Sequence, residues 1–264
     1  MCNSNKLYIK MRLSVRKWTA AAVLCVSSFT FLQAQEEADD KKLSFTVQGD
    51  FVSSYVWRGM YQTGASVQPT LGLSVAGFSF TVWGSTDFDG DHSSEGGASK
   101  EIDLVAAYAL GKSGVTIGIS DYWSPGQGAN NYFNLKNNET AHVFEANVMY
   151  DFPFEKFPLS VSWNTNFAGS DLNEEGKRDY SSYVELNYPF SVRKVELNAT
   201  CGFVPYQAVA YDTNGFAVTN VALTGSYPIR ITDSFTLPIF AQAVWNPRME
   251  DAHLVFGFSL CPNL

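Results

Sequence analysis

The chain has 264 residues, of which 17% are charged and 15% are aromatic, and its formal charge is −8. Soluble globular proteins are usually about 25% charged, so something other than water is expected to cover part of this surface. The acidic charge gives no electrostatic basis for binding nucleic acid. Beyond the N-terminal segment the sequence has no apolar run of about 18 residues, which excludes helical membrane spans there.

The N-terminal segment has the order of regions found in a secretory signal peptide. Five basic residues come first, a small apolar run follows at 20–26, and Gln33-Ala34-Gln35 offers a small-residue cleavage site. We predict a signal peptide over residues 1–34 and a single exported domain over 35–264. Cleavage removes five basic residues and no acidic one, which takes the formal charge from −8 to −13.

Alternation of apolar and polar residues predicts long β-strands. Residues 43–58 keep a period of two for sixteen residues, which is longer than the usual five or six of a globular strand. Similar segments follow along the chain, and no segment is convincingly helical. The pattern predicts about twelve strands, at 43–58, 67–75, 78–87, 100–110, 114–122, 141–150, 159–168, 179–188, 194–203, 217–227, 235–245 and 252–261.

Short and long connections alternate between these predicted strands. The turns near 76, 112, 155, 192 and 231 are short, whereas the polar segments that separate them are mostly long. Outer-membrane barrels have short periplasmic turns, longer extracellular loops and an even number of strands. Aromatic residues beside the short turns, such as Tyr150, Phe157 and Tyr188, fit a girdle at the lipid–water boundary. We therefore predict an all-β fold, a transmembrane antiparallel up-and-down β-barrel in the outer membrane, over a soluble two-sheet sandwich.

The polar positions of the strands predict the lining of the barrel interior. A basic side chain facing lipid at the bilayer midplane costs about 2–4 kcal/mol, so the polar parity is assigned to the lumen. We expect the lining to include Asp50, Arg58, Gln68, Glu101, Asp103, Glu145, Glu185 and Glu196. In an open pore an acidic lining favours cations and polar neutral solutes. In a plugged barrel the same side chains would fill the interior, with Arg58 tied to carboxylates, and the sequence leaves both alternatives open.

One stretch of the mature chain carries a family resemblance. It consists of Tyr-Val-Trp-Arg-Gly-Met-Tyr-Gln-Thr at 55–63, then Gln68-Pro69, Gly77-Phe78 and Trp83-Gly84-Ser85. In these residues the chain resembles the TorF-like family of porins, and the remainder agrees with that family in strand rhythm. The resemblance implies an outer-membrane channel and names no solute.

We predict a channel for passive diffusion of small polar or cationic solutes, with no enzyme activity and no cofactor. The expected partners are outer-membrane lipid and lipopolysaccharide, the barrel-assembly machinery and the solutes themselves. The alternatives are a structural or adhesion barrel with a filled lumen, and a barrel enzyme acting on lipid or peptide. No catalytic site is predicted because neither His142 nor His253 has a serine motif beside it. No metal site is predicted because residues 87–92 only partly match a calcium loop.

Overall fold

The computed structural model describes residues 43–88, 100–124, 132–136, 139–154, 157–233 and 235–261. The predicted signal peptide and most of the acidic segment 87–92 lie outside these residues. The strands are β1 (Ser44–Val52), β2 (Tyr55–Trp57), β3 (Met60–Thr63), β4 (Ser66–Val75), β5 (Phe78–Asp87), β6 (Lys100–Ala109), β7 (Val115–Trp123), β8 (His142–Asp151), β9 (Ser160–Gly169), β10 (Ser182–Val192), β11 (Val195–Val204), β12 (Ala217–Arg230), β13 (Thr236–Asn246) and β14 (Asp251–Leu260).

Twelve of these strands form one closed antiparallel barrel in the order β1-β14-β13-β12-β11-β10-β9-β8-β7-β6-β5-β4. Apart from the step from β1 to β4 and the closure of β1 on β14, each strand of the ring pairs with its neighbours in the chain. The predicted all-β antiparallel barrel of about twelve strands is therefore confirmed. None of the described segments is a helix of the length and apolarity needed to cross a membrane.

The barrel closes where the first strand meets the last. The register there runs from Gly49 opposite Leu260 to Val52 opposite Gly257. On the inner side of this seam the Ser259 hydroxyl donates a hydrogen bond of 2.5 Å to Asp50 Oδ1. Cys261, just beyond β14, and Cys201 on β11 are both free thiols.

Burial along the strands is the reverse of that in a soluble core. The outer face of the wall is apolar and exposed, as at Phe45, Leu71, Ile119, Val148, Trp163, Leu223, Leu254 and Phe256. The inner face is mostly polar and buried, as at Gln68, Ser120, Asn147, Asn164, Ser182, Thr224, Gln242 and Ser259. A wall that buries its polar residues and exposes its apolar ones is the pattern expected when the outer surface contacts lipid.

The predicted first strand is too long. Its alternation continues to residue 58, but β1 ends at Val52 and the chain turns away from the wall. β2 and β3 then pair only with each other, as a separate two-stranded hairpin. The two residues at its turn, Arg58 and Gly59, both have positive φ, of 51° and 83°, which is the pattern of a type I′ hairpin turn.

Candidate functional site in the barrel interior

The hairpin of β2 and β3 crosses the interior of the barrel. It leaves the wall between β1 and β4, yet Arg58 at its tip bonds to Glu145 on β8. Four strands, β4 to β7, separate β1 from β8 on one side of the ring, and six separate them on the other. Arg58 is also buried, with 7% of its side chain exposed. A tip that reaches the far wall and is buried there must pass through the lumen, which the hairpin obstructs.

Arg58 binds the hairpin tip to the opposite wall through a bidentate ion pair with Glu145. Its Nη1 donates to Glu145 Oε2 at 2.6 Å, and its Nη2 donates to Glu145 Oε1 at 2.9 Å. Nη1 also donates to the Tyr211 hydroxyl at 2.6 Å. Bidentate arginine–carboxylate pairs of this kind are among the strongest hydrogen bonds in proteins.

Aromatic rings surround the Arg58 guanidinium. Its carbon lies 4.4 Å from the ring centre of Trp57 and 4.6 Å from that of Tyr183. Tyr211 stacks on both rings, with centroid distances of 6.3 Å to Trp57 and 5.6 Å to Tyr183. Cation–π contacts of this kind are worth about 2 kcal/mol or more when the cation is desolvated. The cage therefore stabilises a charge that has left water.

Tyr211 reaches the site from the connection between β11 and β12. A single 3-10 turn, Val209–Tyr211, places its ring against the hairpin tip. Burial raises the pKa of the Tyr211 hydroxyl, and the neighbouring Arg58 guanidinium acts in the opposite direction without cancelling that rise. The hydroxyl therefore stays protonated and accepts the hydrogen bond from Arg58 as a neutral group.

Glu145 accepts further hydrogen bonds besides those from Arg58. The Tyr122 hydroxyl donates to Glu145 Oε1 at 2.8 Å, and Asn147 Nδ2 donates to the same oxygen at 2.7 Å. Asn147 Nδ2 also donates to Asn164 Oδ1 at 3.0 Å, which carries the network along the inner wall to β9. Buried charges need partners and further hydrogen bonds to offset their desolvation, and Glu145 has both.

The backbone of the hairpin tip also fits closely against the wall. A Cβ atom on Gly59 would come within 1.9 Å of the Thr219 carbonyl oxygen on β12. Asn246 Nδ2, at the end of β13, donates to the Gly59 carbonyl at 3.1 Å. Glycine is therefore required at this position by both the positive φ and the close approach.

A second carboxylate network lies beside the first. The Tyr183 hydroxyl donates to Glu185 Oε2 at 2.6 Å, and Asn187 Nδ2 donates to Glu185 Oε1 at 2.8 Å. Asn220 Nδ2 on β12 donates to the Tyr183 hydroxyl at 3.2 Å. Tyr183 thus links the cage around Arg58 to this network.

The structure places the predicted lining residues in three kinds of position. Asp50, Gln68, Asp103, Glu145 and Glu185 are buried on the inner face of wall strands, and Glu101 is partly buried on β6. Glu196 is exposed near the turn between β10 and β11, where it accepts a hydrogen bond from Ser191. The placement of Arg58 on the wall is wrong, because the chain leaves the wall at Val52 and carries Arg58 on the hairpin.

The aromatic members of the site, Trp57, Tyr122, Tyr183 and Tyr211, were not among the predicted site residues. Tyr211 lies in a loop, so strand alternation says nothing about it. Tyr122 lies on the inner face of β7, and its partner Glu145 is on the neighbouring strand. In the predicted strand 114–122, Tyr122 occupies the same alternate positions as the inward-facing Ser120. This alternation could have indicated that Tyr122 faces the interior.

His142, one of the histidines weighed for catalysis, lies on β8 under the segment that contains Tyr132. Its Nδ1 bonds to Asp121 Oδ1 at 2.6 Å and its Nε2 bonds to the Tyr132 carbonyl at 2.7 Å. Both ring nitrogens are therefore engaged, and the ring is 1% exposed. This geometry anchors the connection between β7 and β8. Among the described residues, no group of three or more His, Cys, Asp or Glu side chains is placed to hold a metal ion.

The fold and the interior define a class: a closed twelve-stranded antiparallel β-barrel with an apolar outer wall, a polar inner wall and a hairpin across the lumen. Residues 35–233 match the family described as "Bacterial protein of unknown function (Gcw_chp)", and the chain belongs to that family. No curated protein matches the chain. The family match does not confirm the resemblance to the TorF-like porins.

Proposed function

We propose that the protein is an outer-membrane channel for small polar or cationic solutes, which the hairpin of β2 and β3 closes in this structure. The observation that carries the proposal is that the obstruction is separate from the wall. Isolated two-stranded hairpins are marginally stable, and this one pairs with no wall strand. The tip is held by hydrogen bonds of Arg58 and Gly59, and the body of the hairpin by packing of Val56 against apolar residues of β12 to β14. Displacing the hairpin therefore breaks these contacts but no strand pairing of the wall.

The inner wall supports the choice of solute. Asp50, Glu101, Asp103, Glu145 and Glu185 are acidic, whereas Arg58 on the hairpin is tied to one of them. Acidic rings in a pore favour cations and repel anions. The apolar outer face, the predicted signal peptide over 1–34 and the resemblance to TorF-like porins support an outer-membrane location, with lipid, lipopolysaccharide and the assembly machinery as partners.

A structural barrel with a filled lumen is the second candidate. It is favoured by the completeness of the network around Glu145, in which arginine, tyrosine and asparagine groups donate to both carboxylate oxygens. Networks this complete rigidify a protein interior. The two functions differ in what happens when the hairpin is removed.

Conductance in planar bilayers tests the proposal. One variant replaces residues 54–64 with a short Gly-Ser link, and a control removes 173–177, an exposed loop tip. The wild type and the control should conduct weakly or intermittently, whereas the hairpin-free barrel should show steady, cation-selective conductance. Heat-dependent mobility on gels shows whether each barrel has folded. A folded hairpin-free barrel that does not conduct contradicts the channel and favours the structural barrel.

A further inference from the structure

The inner faces of β4, β5 and β6 form a polar sector beside the hairpin. Glu101 and Asp103 are two residues apart on β6 and therefore point to the same face, with Cα atoms about 7 Å apart. Ser85 on β5 is directly opposite Glu101, and Trp83 is opposite Asp103. Gln68 on β4 is buried with them.

Several polar atoms of this sector have no hydrogen-bond partner. They are Asp103 Oδ1, Ser85 Oγ and Gln68 Nε2, and the exposed fractions of these side chains are 8%, 7% and 2%. Glu101 is better placed, because the Tyr55 hydroxyl of the hairpin hydrogen bonds to it. Buried polar atoms nearly always have a partner, and the exceptions call for a bound water or ion.

The two carboxylates also have no ion-pair partner of their own. In the described part of the chain neither Glu101 nor Asp103 forms a salt bridge, and Arg58, which attracts Asp103 from a distance, is paired with Glu145. Two neighbouring carboxylates repel each other, and burial adds a desolvation cost to each. A cation between them offsets the repulsion and part of the desolvation cost, and it gives Asp103 Oδ1 the partner that it lacks.

The ligand types select the cation. Carboxylate and hydroxyl oxygens are hard ligands, which suit Mg²⁺ and Ca²⁺, and the water of a hydrated ion can accept a hydrogen bond from Gln68 Nε2. The site offers only two carboxylates. This number suits an ion that keeps several bound waters, as Mg²⁺ commonly does. This agrees with the absence of a larger ligand cluster among the described residues.

We infer that Glu101 and Asp103, together with Ser85, bind one hydrated divalent cation between the hairpin and the wall. The site rests on the proposed function only for the route by which the ion arrives. Tyr55 of the hairpin hydrogen bonds to Glu101, and its ring centroid lies 5.4 Å from that of Trp83. Binding of the ion should therefore also stabilise the position of the hairpin against the wall.

Terbium luminescence in detergent-solubilised protein tests the site without any measurement of conductance. Tb³⁺ replaces Ca²⁺ and is excited through nearby tryptophan, here Trp83. Saturable luminescence that Ca²⁺ or Mg²⁺ displaces is expected. Asp103→Asn should weaken binding at least tenfold, and Glu196→Gln, a change at an exposed carboxylate, should leave it unaltered. Equal binding by both variants, or no binding by the wild type, overturns the inference.

Two further measurements keep the result clear if Asp103→Asn does not fold. Ca²⁺ should raise the Tm of the wild-type barrel relative to a chelator, which needs no variant, and an unchanged Tm contradicts the site. Replacing Asp89 and Asp91 with Asn tests whether the acidic segment at 87–92 binds the ion instead. Binding that this double variant abolishes belongs to that segment and overturns the inference. If the wild type binds the ion but the hairpin-free barrel does not conduct, the cation site stands and the proposed channel function is contradicted.

Discussion

Replacing Arg58 with alanine is expected to lower the free energy of unfolding by about 3–4 kcal/mol. Breaking a buried ion pair by removing one partner typically costs about 3–5 kcal/mol. The lower part of that range applies here, because Tyr122 and Asn147 still donate to the stranded Glu145. The cage rings lose their cation as well. Since alanine has the same difficulty as arginine at a φ of 51°, the change isolates the side chain.

The measurement is a urea titration of the barrel in lipid vesicles, followed by tryptophan fluorescence. Arg248→Ala is the matched control, because the charged groups of Arg248 and Asp212 are exposed and 3.8 Å apart, and the hydrogen bond from Arg248 to the Asp212 carbonyl is exposed as well. Exposed pairs contribute about 0–1 kcal/mol, so the control should change little. A cycle with Glu145→Gln should show a coupling of about 2 kcal/mol between the two positions, within the range for residues in one network.

Arg58→Gly separates the backbone from the side chain. Glycine has no Cβ clash in the left-handed region, where other residues lose about 1–2 kcal/mol. The glycine variant should therefore be more stable than the alanine variant by about that amount. If Arg58→Ala lowers stability no more than Arg248→Ala does, the ion pair does not hold the hairpin and the reasoning fails.

Four further outcomes are expected. Gly59→Ala should unseat the hairpin and raise conductance, because its Cβ would come within 1.9 Å of a carbonyl oxygen on β12; unchanged conductance argues against a seated tip. Arg58→Ala should increase cation preference in reversal-potential measurements, and an unchanged preference would place the constriction elsewhere. His142→Ala should make the connection between β7 and β8 sensitive to protease while the barrel stays folded; equal resistance removes the anchoring role. Cysteine at Glu175 should be labelled on intact cells and cysteine at Ser113 only after permeabilisation, and the reverse would invert the topology.

The barrel was predictable because its signal is repeated in every strand. A period of two, held across segments of about ten residues, reflects a wall with one face toward polar groups and one toward apolar surroundings. The predicted last strand, 252–261, differs from β14 by one residue at each end. Local pattern places the ends of this strand closely, whereas the strand predicted at 179–188 runs over Ser182–Val192.

The hairpin was not predictable in the same way. The alternation is interrupted only at Val52-Ser53 and at Val56, and Tyr55 and Trp57 resume the apolar parity of β1. Periodicity therefore gives only a weak sign of where the chain leaves the wall. The turn has arginine before glycine, whereas asparagine or aspartate is the usual signal for a type I′ turn. The partner that decides the outcome, Glu145, is 87 residues away in the chain. A contact at that separation is set by the closed ring and not by local sequence.

The hairpin is joined to the wall at both ends, by 53–54 before β2 and by 64–65 after β3. Reclosure after any opening is therefore intramolecular, and short tethers give a local concentration in the millimolar range. A free peptide that copies the tip would have to approach that concentration to compete for Glu145. Open periods should accordingly be brief and self-terminating, and their frequency should not depend on how much protein is present.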